Sequence, residues 1–380
     1  MRLKIGILTF YESLNYGTVL QAYALQKYLT DCGHDVELVR IRRNIHARSH
    51  HFRSQPVAYS LMEKVVVKIR SEMAEKAERT RKEQFLAFQN DYLKVSHAFY
   101  EDEKQLREHL PQYDLYLSGG DQIWNPYHKV FSTHYMWDFL PDGSPIASYA
   151  SSFGVDSIDD GEILEVMRNC LRRYDSLCIR EQSGVRMAEN MGLQASQVLD
   201  PVFLLRSQWT SFVRPTHHRK KYCLVYALID YPKTEDAQIR EYARKYHLEI
   251  KIMPYSRRNC LGHYTREFSA GPIEFLDLIA NAEFVFTNSF HGAAFSILFQ
   301  KQFQLLDAVS PEGRKKRGRL NDLLEQCGIS VRNEETLIDY TSVNKRLDVL
   351  LADSQKKLSD ICAAAAKRAL DGVEGNVTME

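Results

Sequence analysis

The 380-residue sequence predicts an α/β fold of two doubly wound, Rossmann-like domains around a central cleft, and three observations carry that expectation. Apolar strand-like runs alternate with helically spaced segments from the first residues onward. The alternation restarts after a polar, basic run at 214–221. The unusual polar and glycine-bearing residues fall directly after strands, where open parallel sheets bind ligands.

The first strand is read at 4–10, and it breaks at Tyr11-Glu12-Ser13-Leu14-Asn15-Tyr16-Gly17. Helical spacing follows over 18–29, with a stop at Cys32-Gly33 and a second strand at 36–41. Strand, loop, helix, strand is the βαβ unit of a parallel sheet. Residues 42–59 read as a long polar excursion and 61–92 as a long charged helix or helix pair. Further strands are expected at 113–118, 146–150, 176–179 and 197–199, with helices at 161–174 and 181–191. The second series has strands at 222–229, 249–253, 284–287 and 303–305. Its helices are expected at 234–245, 272–280, 293–299 and 320–327, followed by a long final helix at 342–370. The expected domains are 1–210 and 211–340, with 341–380 packing back across both and fraying after 371.

Composition narrows the function. Hydrophobic residues make up 44% and charged residues 26%, enough apolar content for a real core. Lys plus Arg is 50 against 49 for Asp plus Glu, so the basic excess of a general nucleic-acid binder is missing. The seven cysteines include no CxxC pair, which argues against a zinc or iron–sulfur cage and for reduced thiols. No apolar run approaches the roughly 20 residues of a membrane span. The apolar start is too short for a secretion signal, so a cytoplasmic protein is expected, with peripheral membrane association left open.

Five constellations sit at strand ends. The first is Asn15-Tyr16-Gly17-Thr18 with Gln21, a helix start that either caps itself or meets a ligand. The second is Gly119-Gly120-Asp121-Gln122-Ile123-Trp124-Asn125. Its glycines permit close backbone approach, its polar groups suit polyols, and Trp124 is a candidate for stacking on a sugar face, the alternative being a Gly-Gly turn with a buried Trp. The third is Arg180, which either holds an anion through its planar fork or pairs internally, for example with Asp200. The fourth is Thr287-Asn288-Ser289-Phe290-His291-Gly292, a strand–turn–helix with an imidazole at the positive helix end. The fifth is the basic loop 313–319, read as a solvated surface or an anion clamp, with Arg319 its best-anchored member.

Taken together, these runs resemble the polysaccharide pyruvyl transferase family. The resemblance rests on 5–10 with Leu14–Gly17 and Leu20–Leu25, on 118–125, on Tyr149-Ala150-Ser151-Ser152-Phe153-Gly154, on Ile179-Arg180-Glu181, on Val198-Leu199-Asp200-Pro201 and on 287–292. It implies a GT-B-like fold of two Rossmann-like domains. It implies transfer of a pyruvyl group from phosphoenolpyruvate to sugar hydroxyls of a cell-surface, capsular or exopolysaccharide precursor, forming a ketal. The first domain would serve the sugar or lipid-linked acceptor and the second the donor. By resemblance, His291 is the acid/base, with Arg180 as anion ligand and Asp121 beside it. Asn15, Tyr16, Gly17, Gln21, Gly119, Gly120, Gln122, Trp124 and Asn125 would line the acceptor side. Asn288, Ser289, Gly292 and Arg319 would line the donor side.

Some members carry Arg-Leu-His where this chain has Ser289-Phe290-His291. Either Arg319 or Arg314–Arg317 would then supply the missing cation, or the donor differs. No cofactor or metal-ligand spacing is readable, although a divalent ion bridging phosphate could use Asp121. Two other readings stand beside this one. One is a nucleotide-sugar glycosyltransferase, which needs a ribose-binding acid such as Glu274 or Asp277. The other is a non-catalytic glycan-binding or assembly protein.

Overall fold

The computed structural model describes residues 1–41, 61–98, 100, 103–128, 131–214, 220–253, 264–309, 318–330 and 337–377. The chain divides into two compact units, Met1–Ile45 with Tyr92–Leu205 and Lys345–Glu380, and His46–Asp91 with Arg206–Asn344.

The first unit is built on β1 (Lys4–Leu8), β2 (Asp35–Leu38), β3 (Leu115–Gly119), β4 (Ile146–Ser151), β5 (Ser176–Ile179) and β6 (Ser196–Gln197). They form one sheet in the order β2-β1-β3-β4-β5-β6, and every pairing is parallel. Every residue of β3 and β4 is buried, as expected for a parallel sheet covered on both faces.

The helices are α1 (Tyr16–Asp31), α2 (Leu61–Tyr92), α3 (Glu103–His109), α4 (Gly161–Leu171), α5 (Gln182–Asn190), α6 (Lys233–Lys245), α7 (Pro272–Ala280), α8 (Phe290–Leu298), α9 (Gly318–Cys327) and α10 (Tyr340–Val377). The second unit carries β7 (Tyr222–Tyr226), β8 (Glu249–Met253), β9 (Thr265–Arg266), β10 (Phe284–Thr287) and β11 (Gln302–Leu305). These also pair in parallel, in the order β11-β10-β7-β8-β9. The chain therefore has the α/β architecture expected, with two Rossmann-like parallel sheets.

The division differs from the contiguous one read in the sequence. Residues 46–91 group with the second unit. The reason is packing: on α2, the Phe88 ring lies 6.4 Å from Phe212, and Gln84 sits against Gly271. The stretch 345–380 groups with the first unit, where Leu199 N donates to Ser354 Oγ at 3.0 Å and Arg368 pairs with Asp175 at 3.1 Å. That final helix runs to Val377, into the segment expected to fray. Among the described residues, no helix is long and apolar enough to cross a membrane.

In doubly wound sheets the strand order marks where ligands generally bind. In the first sheet β1 is followed by β2 on one side and β3 on the other, so the order reverses between β1 and β3. In the second it reverses between β7 and β10. Loops leaving the carboxyl ends of neighbouring strands diverge there and open a crevice.

Candidate active site

At the first switch point, Asn15 caps α1, its Oδ1 accepting from Thr18 N at 3.3 Å. The Thr18 hydroxyl donates to Asp121 Oδ2 at 2.5 Å, tying the first turn of α1 to the loop after β3. That loop turns through two left-handed residues, Gly120 at φ +51° and Asp121 at φ +52°. A Cβ on Gly120 would lie 1.6 Å from Gln21 Oε1, so only glycine fits there. Asp121 holds its strained conformation while its Oδ1 accepts from Gln122 N at 2.8 Å.

Three expectations change in this loop. Gln21 is fully buried and braces the turn, donating through Nε2 to Thr9 Oγ1, Phe10 O and Thr18 O. It is a strut, not a substrate contact. Trp124 is 0% exposed, with its ring edge-on to Phe153 at 5.5 Å and to Tyr174 at 5.8 Å. An indole sealed in the core cannot stack on a sugar. Asn125 is spent on the loop itself, donating to Gln122 Oε1 at 3.1 Å and accepting from Tyr127 N at 3.0 Å. Asn15 and Gln122 are half-buried, while Tyr16, Gly17 and Gly119 are buried.

Arg180 follows β5 and is 3% exposed. Its Nη1 donates to Asp200 Oδ2 at 2.7 Å, and its Nε lies 3.8 Å from Glu181 Oε2. Burial works to lower its pKa, but the charges of Asp200, Glu181 and Asp121 overcome it and hold the guanidinium above its ordinary value. One cation already faces three carboxylates, so the anion-ligand expectation is corrected: Arg180 anchors the cluster. Glu181 in turn accepts from Ser152 Oγ (2.9 Å), Phe153 N (2.8 Å) and Gly154 N (3.2 Å), fixing the turn after β4. Sequence reasoning missed this role, because the partners lie 27 to 29 residues away. Among the described residues, no group of three or more His, Cys, Asp or Glu side chains could hold a metal ion, and Asp121 gains no companion ligands.

At the second switch point, Thr287 ends β10 with its hydroxyl donating to Tyr226 O at 2.6 Å and accepting from Ser289 N at 3.0 Å. Asn288 clamps the loop after β7, accepting from Leu228 N at 2.8 Å and donating to Ile229 O at 2.7 Å. Ser289 caps α8, its Oγ accepting from Gly292 N at 3.3 Å. Gly292 N is therefore engaged by the cap, and Asn288 and Ser289 shape the turn instead of reaching out. His291 stands in the first turn of the helix they start, 7% exposed, with Phe290 edge-on at 5.2 Å.

A Cβ on Gly292 would meet Thr287 Oγ1 at 2.3 Å and Tyr226 Cδ1 at 2.9 Å. Gly292→Ala is therefore expected to destabilise the protein by about 1–3 kcal/mol through overpacking. A denaturant-unfolding midpoint equal to wild type contradicts this tight turn.

Arg319 is the second residue of α9, a helix that packs against α8, and is 8% exposed. Arg314–Arg317, the other cations considered, lie outside the described residues. Glu274 and Asp277 are occupied on α7. Glu274 accepts from Gly271 N at 3.2 Å and pairs with Arg214 at 3.4 Å. Asp277 accepts from Arg214 N at 3.1 Å and Asn281 Nδ2 at 2.9 Å. Both carboxylates thus have protein partners.

The family model for polysaccharide pyruvyl transferase matches residues 15–307. No curated protein matches the sequence. Among solved structures, S. aureus MnaA with UDP is similar at TM-score 0.50 and 12% identity, over 93% of this chain and 89% of that one. The UDP-GlcNAc 2-epimerase of Neisseria meningitidis bound to UDP-GlcNAc gives 0.49 and 9%, over 96% and 100%. The glycosyltransferase SnogD of Streptomyces nogalater gives 0.42 and 9%, over 96% and 100%. At such identities the match at TM-score 0.50 is a likeness of fold alone.

Proposed function

The chain belongs to the polysaccharide pyruvyl transferase family, and from that premise we propose that it moves a pyruvyl group from phosphoenolpyruvate to two hydroxyls of a sugar. The acceptor is a cell-surface or exopolysaccharide precursor, and the product is a cyclic ketal. The reaction is placed in the cytoplasm, at the inner membrane face where the acceptor is lipid-linked. The observation that carries the reading is His291: a nearly buried imidazole at a helix N-terminus, at the switch point of a parallel sheet.

In this reaction His291, as general acid, gives a proton to the methylene carbon of the enol. The double-bond pair forms the new C–H bond, and the phosphate-bearing carbon gains oxocarbenium character. One sugar hydroxyl adds to that carbon and loses its proton. The carbon–oxygen bond to phosphate breaks, phosphate leaves, and the second hydroxyl adds in its place and loses its proton. Of the two hydroxyl protons, one replaces that spent on the methyl group and the other leaves with phosphate.

Arg319 supplies the cation that Ser289 does not, holding the carboxylate or phosphate of the donor. Hydrogen bonds to charged groups contribute about 1.5–3 kcal/mol, so Arg319→Ala is expected to raise the donor KM by one to two orders of magnitude. The acceptor KM should stay near wild type. Equal donor KM values for the two proteins remove Arg319 from the site.

A thermal-shift panel separates the competing chemistries. A ligand of the folded state at a hundred times its Kd adds about 2.7 kcal/mol. Stabilisation by phosphoenolpyruvate is expected. Stabilisation by a nucleotide sugar with none by phosphoenolpyruvate overturns pyruvyl transfer in favour of glycosyl transfer.

A further inference from the structure

We propose that Tyr127 is the platform on which a hexopyranose ring of the acceptor stacks, an inference that rests on the sugar acceptor proposed above. The ring is 56% exposed in a loop whose neighbours Ile123 and Trp124 are fully buried. Isolated exposed apolar residues need no explanation in general. Val166 and Leu370 stand on the outer faces of helices α4 and α10 and are of that ordinary kind. Tyr127 differs in its place and in how firmly its backbone is held.

The place is the first switch point, where the loop after β3 crosses the carboxyl ends of β1 and β4. Trp124 N donates to Ser152 O at 3.2 Å and Ser152 N to Asp121 O at 2.9 Å, binding the loop to the end of β4. Beyond β1, the Phe10 ring meets His128 at 5.5 Å and Tyr135 at 4.8 Å. The backbone is fixed on both sides: Asn125 Oδ1 accepts from Tyr127 N at 3.0 Å, and Asn125 O accepts from His128 N at 3.1 Å.

An exposed aromatic on a fixed backbone has only two side-chain torsions to order on binding. Its negative ring face attracts the polarised C–H groups on one face of a pyranose. Gln122, half-buried on the same loop, adds a side-chain amide for hydroxyls on the ring edge. The loop thus keeps the aromatic contact that its composition suggests, with Trp124 buried as its foundation and Tyr127 as the surface.

The test is calorimetric titration of wild type, Tyr127→Ala and Tyr127→Phe with the methyl glycosides of glucose, galactose and mannose. Acceptor KM with phosphoenolpyruvate is then measured for whichever glycoside binds. Tyr127→Ala is expected to weaken binding and raise acceptor KM about tenfold, the scale of one aromatic contact. The melting temperature and donor KM should hold, and Tyr127→Phe should behave as wild type. Equal affinity of wild type and Tyr127→Ala overturns the platform and leaves pyruvyl transfer standing. Tyr127-dependent binding without turnover of phosphoenolpyruvate supports the platform and overturns pyruvyl transfer. Failure of wild type to bind any of the three glycosides overturns the platform and the sugar acceptor together.

Discussion

Replacing His291 with alanine is expected to lower turnover of phosphoenolpyruvate by about 10²–10⁴-fold, the range seen when a general acid is removed. In the proposed reaction, protonation of the enol carbon creates the electrophile to which a hydroxyl then adds. Asn288, Ser289 and Gly292 are committed to the turn that presents the imidazole. The alanine variant should keep its helix, since alanine has the best helix propensity and Ser289 still caps the end. His291→Asn is the companion variant, because it keeps a polar group at the helix start but cannot deliver a proton at neutral pH. Both should lose turnover alike and bind phosphoenolpyruvate within a small factor of wild type. Undiminished turnover in either takes His291 out of the mechanism.

Arg180→Met carries the largest expected effect on stability, a loss of about 3–5 kcal/mol. The substitution leaves Asp200, Glu181 and Asp121 around a site with its one central cation removed. Asp200 is fully buried, so water cannot compensate for it. The pairing role and the ligand role predict different patterns. If Arg180 acts by pairing, Arg180→Met combined with Asp200→Leu should recover part of the loss, since neighbours in one network are non-additive. If it grips the donor, stability should hold while the KM for phosphoenolpyruvate rises. Urea unfolding of the single and double variants, beside their donor KM values, separates the two, and the pairing pattern is the expected one.

Much of this architecture was legible in the sequence, for identifiable reasons. Strands such as Lys4–Leu8 and Phe284–Thr287 are short apolar runs, and the loops after them carry the residues that break the pattern. The location of His291 after β10 followed from that local pattern alone. What failed to show was burial and long-range pairing. Trp124 and Gln21 look like ligand contacts by residue type, and only packing against Phe153, Tyr174 and Gly120 reveals them as struts. For Arg180 the sequence already offered the pair with Asp200, 20 residues away, beside the ligand role, and only the structure decides for the pair. The assignment of 46–91 to the second unit was invisible because it rests on contacts such as Phe88 with Phe212. Tyr127 drew no notice, because a lone tyrosine has no periodicity to mark it.

The most direct test of the central claim is incubation with phosphoenolpyruvate and a panel of free, lipid-linked and nucleotide-linked sugars. Phosphate release and the acceptor's mass are scored together, with His291→Ala as control. Phosphate released one-for-one with acceptor that has gained a pyruvyl ketal, and neither product from His291→Ala, is the expected result. Ketal formed equally well by His291→Ala, or no ketal with phosphoenolpyruvate while a nucleotide sugar donates its sugar to the same acceptors, contradicts it.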